Sequence, residues 1–88
     1  MSAVRFPDSP ACHSDGMVMH FTAIIEQKTI RCAIVLDALM EHFAKDRLTP
    51  PVSVFSRHRH VIERIAKRLI DQKRFENNGS ILIRSSDC

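Results

Sequence analysis

Residues 17–35 read MVMHFTAIIEQKTIRCAIV, and this stretch decides the fold. Met17, Met19, Phe21, Ala23 and Ile25 alternate with more polar neighbours, the period of a half-buried strand. From Lys28 to Val35 the pattern repeats in the other parity, with Ile30, Cys32 and Ile34 on one face and Thr29, Arg31 and Ala33 on the other. With Glu26-Gln27 as the tip, Ala23 faces Ile30, Phe21 faces Cys32 and Met19 faces Ile34, three pairs on one apolar face. A slip of one residue would set that face against Arg31 and Thr29. Burial therefore fixes the register, even though Glu-Gln is a poor type I′ turn. A β-hairpin over residues 17–35 is the expectation.

Downstream of the hairpin the period changes from two to about 3.6. Leu36, Leu39, Met40 and Phe43 form one stripe, which predicts a helix over residues 36–44. Thr49-Pro50-Pro51 offers an N-cap hydroxyl followed by prolines that a first turn tolerates. A second helix is expected over residues 50–74, with Val54, Phe55, Val61, Ile62, Ile65, Ala66 and Leu69 on its apolar stripe. At 1.5 Å per residue it would reach roughly 35 Å, long for so small a domain, so either its ends overhang the sheet or its first turn is separate. Asn77-Asn78-Gly79 can take positive φ and stop it, and Ile81-Leu82-Ile83 predicts a strand over residues 80–85. That run is apolar on both faces, as an interior strand would be.

Upstream, Asp15-Gly16 reads as a turn and residues 1–15 as an irregular leader, to which Val4 and Phe6 can add a short N-terminal edge strand. The expected architecture is α+β, an antiparallel hairpin, two helices and a C-terminal strand in the order ββααβ, forming a single domain over residues 1–88.

Composition narrows the function. Hydrophobic residues are 44% and charged residues 26%, a globular balance, and no apolar run approaches the ~20 residues that span a bilayer. The first sixteen residues lack the apolar core of a signal peptide, so a cytoplasmic address with no membrane association is expected. Cys12, Cys32 and Cys88 lie far apart and are odd in number, which argues for reduced thiols. Only Gly16 and Gly79 are present, too few for either glycine-rich phosphate loop.

The formal net charge is +3, and residues 49–88 carry eight Lys and Arg against four Asp and Glu, so the basic character belongs to the C-terminal half. On a continuous helix Arg57, His60, Arg64, Lys67 and Arg68 share a basic ridge beside the apolar stripe, able to follow a phosphate backbone. Glu63 and Asp71 are spaced to neutralise part of it, and no aromatic ladder accompanies it, since Trp and Tyr are absent. A solvated face is the plainer account. His58 falls within the apolar stripe, either as a hydrogen-bonded core histidine or as a ligand or general base in a pocket.

His58 and His60 point about 200° apart on a helix, and Cys12-His13 has no companion ligands at a recognisable spacing, so neither a metal nor a cofactor is expected. No GxSxG or HExxH motif is present, and Cys32 and Cys88 sit in no arrangement that would tune a nucleophile. The expectation is a small non-enzymatic binding or accessory module, with a homodimer or another protein as its partner. The alternatives are nucleic acid on the basic ridge and a small-ligand or enzymatic site around His58.

Phe6-Pro7-Asp8, the hairpin end Cys32-Ala33-Ile34, Ala38-Leu39 with His42-Phe43, then Phe55, His58-Arg59, Ile62-Glu63 and Gly79-Ser80-Ile81 occur in an order and spacing that resemble a small bacterial family, domain of unknown function 1488. The resemblance implies an α+β fold and a bacterial origin, and it implies no activity. Three positions depart from that family's pattern. Cys12 stands for an aromatic, Gln27 for a glycine at the hairpin tip, and Val35 for a serine N-cap of the first helix. Loss of such a cap typically costs ~1 kcal/mol, although Asp37 still complements the helix dipole.

Overall fold

A computed structural model describes residues 4–7, 13–46 and 48–88, for residues 13–15 the backbone alone. The leader's Cys12, Asp8 of the Phe6-Pro7-Asp8 run and Arg47 lie outside the described residues. The elements in chain order are strands β1 (Val4–Arg5), β2 (His13–Asp15), β3 (Val18–Ile25) and β4 (Lys28–Val35), then helices α1 (Leu36–Phe43), α2 (Pro51–Arg57) and α3 (Arg59–Asp71). Strand β5 (Ile81–Ile83) and a 3₁₀ turn (Ser85–Asp87) close the chain.

The hairpin forms in the expected register, with Ala23 opposite Ile30, Phe21 opposite Cys32 and Met19 opposite Ile34. Glu26 and Gln27 both adopt positive φ, 48° and 70°, as a type I′ turn demands. Each such L-residue carries a steric penalty of roughly 1–2 kcal/mol. Gln27→Gly is therefore expected to raise stability by about 0.5–1 kcal/mol, the relief being partly offset by the freer unfolded chain. A lower urea midpoint for Gln27→Gly would contradict this.

The leader is less irregular than residues 1–15 suggest. β1 pairs with the far end of β3 (Val4 with Ile25), and β2 pairs with its near end (His13 with His20). Both occupy the same edge, because the other edge of β3 is taken by β4. Gly16, at φ 66°, opens the two-residue turn between β2 and β3.

Helix α1 follows β4 without a loop. No side chain caps it, but the Leu36 N–H donates to the Met17 carbonyl at 2.9 Å, so the hairpin backbone satisfies one of the donors a serine would have served. Thr49 does not cap α2 either. Its N–H and hydroxyl, with the Leu48 N–H, converge on Asp46 Oδ1 at 2.9–3.0 Å, and the helix begins at Pro51 behind Pro50. Those donors, the Thr49 hydroxyl foremost, hold the Asp46 carboxyl below its ordinary range.

The single long helix over residues 50–74 is not what forms: it breaks at His58, whose φ of −112° and ψ of 19° leave the helical region. The His58 N–H still reaches the Val54 and Phe55 carbonyls, and its own carbonyl takes the N–H groups of Val61 and Ile62. Neither Pro nor Gly causes the break. The segment around it is rich in weak helix formers, Ser53, Val54, Phe55, Ser56, His58, His60 and Val61, so packing decides the path. α3 ends at Asp71, before Asn77-Asn78-Gly79, in a Schellman arrangement. Lys73 at φ 56° takes the position usual for glycine, Lys73 N–H donates to Ile70 O and Arg74 N–H to Leu69 O.

β5 pairs parallel to β4, Ala33 opposite Leu82, and is the edge of the sheet rather than an interior strand. The strand order is β1-β3-β4-β5, with β2 beside β3. All three helices contribute to one core on a single face of the sheet, where Met19, Phe21, Cys32, Ile34, Ile81 and Ile83 meet Leu39, Phe55, Ile62 and Leu69. The other parity, Val18, His20, Thr22, Ile24, Arg31, Ala33 and Leu82, forms the face that this core leaves uncovered.

Candidate binding surfaces

The break at His58 divides the basic ridge. Arg57 ends α2, while His60, Arg64, Lys67 and Arg68 lie on α3, and all five are exposed. Lys67 Nζ pairs with Asp71 at 3.0 Å. Arg68 Nη2 donates to the carbonyl of Asp87 at 2.5 Å, which ties α3 to the C-terminal turn. Glu63 pairs with Arg59 at 2.8 Å, not with Lys67. Arg57 lies near enough to Asp46 to favour its ionised form. Asp87, 9% exposed, also accepts the Arg84 N–H and faces Arg74 at 3.9 Å.

His58 is half-buried rather than enclosed in the core. Its ring lies 5.3 Å from that of Phe43 and lines a hollow of about 80 Å³ with Asp46, Thr49, Ser53 and Arg57, too small for an organic ligand. Arg59, beside it, is a tether. Its guanidinium reaches Glu63, donates to the Pro7 carbonyl at 2.7 Å and lies 6.0 Å from the Phe55 ring, joining the N-terminal strand to α3.

A larger hollow lies elsewhere among the described residues, on the sheet face opposite the core. A groove of about 490 Å³ runs over β3, β4 and β5. His20, Ala33 and Leu82 lie side by side across its floor in strand register, with Val18 next to them. The segment from Glu76 to Ser80 makes one wall, closed on itself by Glu76 N–H to Ser80 O and Gly79 N–H to Glu76 O, both 2.8 Å. Gly79 has φ 83° there, and Asn78 Oδ1 accepts both the Ser80 N–H and the Ser80 hydroxyl. Glu76 is engaged by Arg84 at 2.9 Å. Arg31 stands at the rim, exposed.

A family model described as a protein of unknown function, DUF1488, matches residues 4–83. The chain belongs to the DUF1488 family. A crystal structure of a DUF1488 protein of unknown function from Shewanella loihica PV-4 is similar to it, with 28% identity over 91% of this chain and 90% of that one and a TM-score of 0.79. Among curated proteins nothing matches. At the hairpin tip and the α1 start this DUF1488 chain has Gln27 and Val35, and the fold accommodates both as described.

Sequence reasoning did not single out the groove. Its floor is the second parity of the hairpin plus Leu82, and its wall includes the Asn77-Asn78 turn, which by sequence is a helix stop. Among the described residues, no three His, Cys, Asp or Glu side chains gather as a metal site, and no helix is long and apolar enough to cross a membrane.

Proposed function

We propose that this chain is a small non-enzymatic binding module of the bacterial cytoplasm, and that its recognition surface is the uncovered face of the sheet. The groove carries the reading. Its volume of about 490 Å³ lies within the usual range for small-ligand sites, and its apolar floor is set among a few polar groups on rigid strands. The basic ridge is less favoured because Lys67 is ion-paired with Asp71 and Arg68 is hydrogen-bonded to the Asp87 carbonyl within the fold. Ser80 is the hydroxyl of the groove wall, and it donates to Asn78 rather than to a base, which supports binding over nucleophilic catalysis. The bacterial cytoplasm is supported by the origin of the similar structure and by the free thiols of Cys32 and Cys88.

The test is a ¹⁵N NMR titration with uncharged aromatic fragments. Saturable shifts at His20, Ala33, Leu82 and Asn78, abolished by Leu82→Asp and retained in Val61→Asp on the helical layer, are expected. Shifts confined to the helices, or none at all, would overturn the assignment of the groove.

A further inference from the structure

We infer that the groove takes a small organic carboxylate, its apolar body on Val18, Ala33 and Leu82 and its carboxylate at Arg31 and Asn78. This rests on the groove being the binding site. The argument is one of donors and acceptors. The ionisable groups lining the groove are His20, Arg31, Cys32 and Glu76, and the Cys32 side chain is buried in the core. Glu76 is neutralised by Arg84, which approaches its two oxygens at 2.9 and 3.4 Å.

The Asn78 side-chain oxygen is occupied twice, by the Ser80 N–H and hydroxyl at 3.0 and 2.6 Å. That pairing also fixes the amide orientation and leaves its NH₂ as the outward group. Among the described residues Arg31 has no acidic partner. The rim therefore offers donors and a positive charge while the Glu76 carboxylate and the Asn78 oxygen are already engaged, which complements an anion.

The shape agrees. A second hollow of about 250 Å³, lined by Thr29, Ile30, Arg31, Asn78, Gly79 and Ser80, adjoins the groove. Arg31, Asn78 and Ser80 line both, so the donors stand where the apolar floor gives way to a polar recess. One planar guanidinium fork with one amide suits the two oxygens of a carboxylate, whereas a phosphate dianion would call for further cations.

The probes are 4-phenylbutyrate and its uncharged amide, titrated into the ¹⁵N-labelled chain at constant ionic strength. The acid is expected to bind on the order of ten-fold more tightly than the amide, with shifts at Arg31, Asn78, Ala33 and Leu82. Arg31→Gln, an exposed change that leaves the core intact, is expected to bring the acid down to the amide's affinity. Leu82→Ala is expected to weaken both alike. Equal binding of acid and amide in the groove, or tighter binding of phenyl phosphate than of the acid, would overturn the carboxylate assignment and leave the groove itself standing. Acid shifts centred on Arg57 and Arg64 would overturn it as well. Failure of the uncharged fragments to enter the groove would instead remove the site.

Discussion

Phe55→Ala is expected to destabilise the fold by about 3–5 kcal/mol, read from urea unfolding at neutral pH. The total stability of a chain this size is roughly 4–13 kcal/mol, so the variant approaches the folding threshold. Phe55 is fully buried, and its ring lies 5.3 Å from that of Phe21, which in turn lies 6.3 Å from Phe6. The Arg59 guanidinium covers it and holds the Pro7 carbonyl. One side chain thus joins α2, the sheet, the N-terminal strand and the start of α3. Removing the ring leaves a cavity and also loosens the Arg59 tether, so amide exchange at Val4 and Arg5 is expected to accelerate more than exchange in β4. Phe55→Leu, which keeps much of the volume, should cost less than half as much. A Phe55→Ala variant within about 0.5 kcal/mol of the parent would refute this account of the core.

The Phe55 junction also shows where sequence stops being informative. The hairpin register was legible because a single slip would bury Arg31 and Thr29, an error too costly for any distant contact to rescue. The break at His58 was not legible. Val54, Phe55, Ile62 and Leu69 keep one stripe whether the helix runs straight or bends, so the stripe carries no mark of the bend. The end of α3 is hidden for a related reason. Lys73 takes the left-handed conformation although Asn77-Asn78-Gly79, nearby, is chemically better suited to it.

The groove was hidden more deeply, since its floor joins strands distant in sequence and its wall depends on which strand lies at the edge. A usable signal existed in Asn78-Gly79-Ser80, where an Asn side chain two residues before a Ser can hold a rigid turn, and in Leu82, whose parity opposes that of Ile81 and Ile83.

Cys32 supplies the second large effect, and it appears at alkaline pH. Burial pushes its thiol up from 9.0 to about 12, because the sheet and helices around it cannot solvate a thiolate. Above pH 9 the unfolded chain releases this proton while the folded chain keeps it, so the unfolded state binds fewer protons and stability falls as pH rises. The loss builds between about pH 9 and 12 and amounts to at most about 4 kcal/mol for three pH units. Below pH 9 the term is constant.

Cys32→Ala removes this titration while leaving every Lys and Arg in place. Its urea stability is expected to fall less steeply than the parent's between pH 9 and 11.5, and parallel curves would refute the assignment. The same thiol reports on function. Its side chain is buried on the core face while Cys32 also lines the floor of the groove, so alkylation requires the sheet to open. A ligand seated in the groove must slow that labelling by the factor 1 + [L]/Kd under conditions where opening is rapid and reversible. A ligand bound only to the exterior of the helical layer would slow it equally if opening were global. Comparison with Leu82→Ala, in which groove binding alone is weakened, therefore ties the protection of Cys32 to one surface.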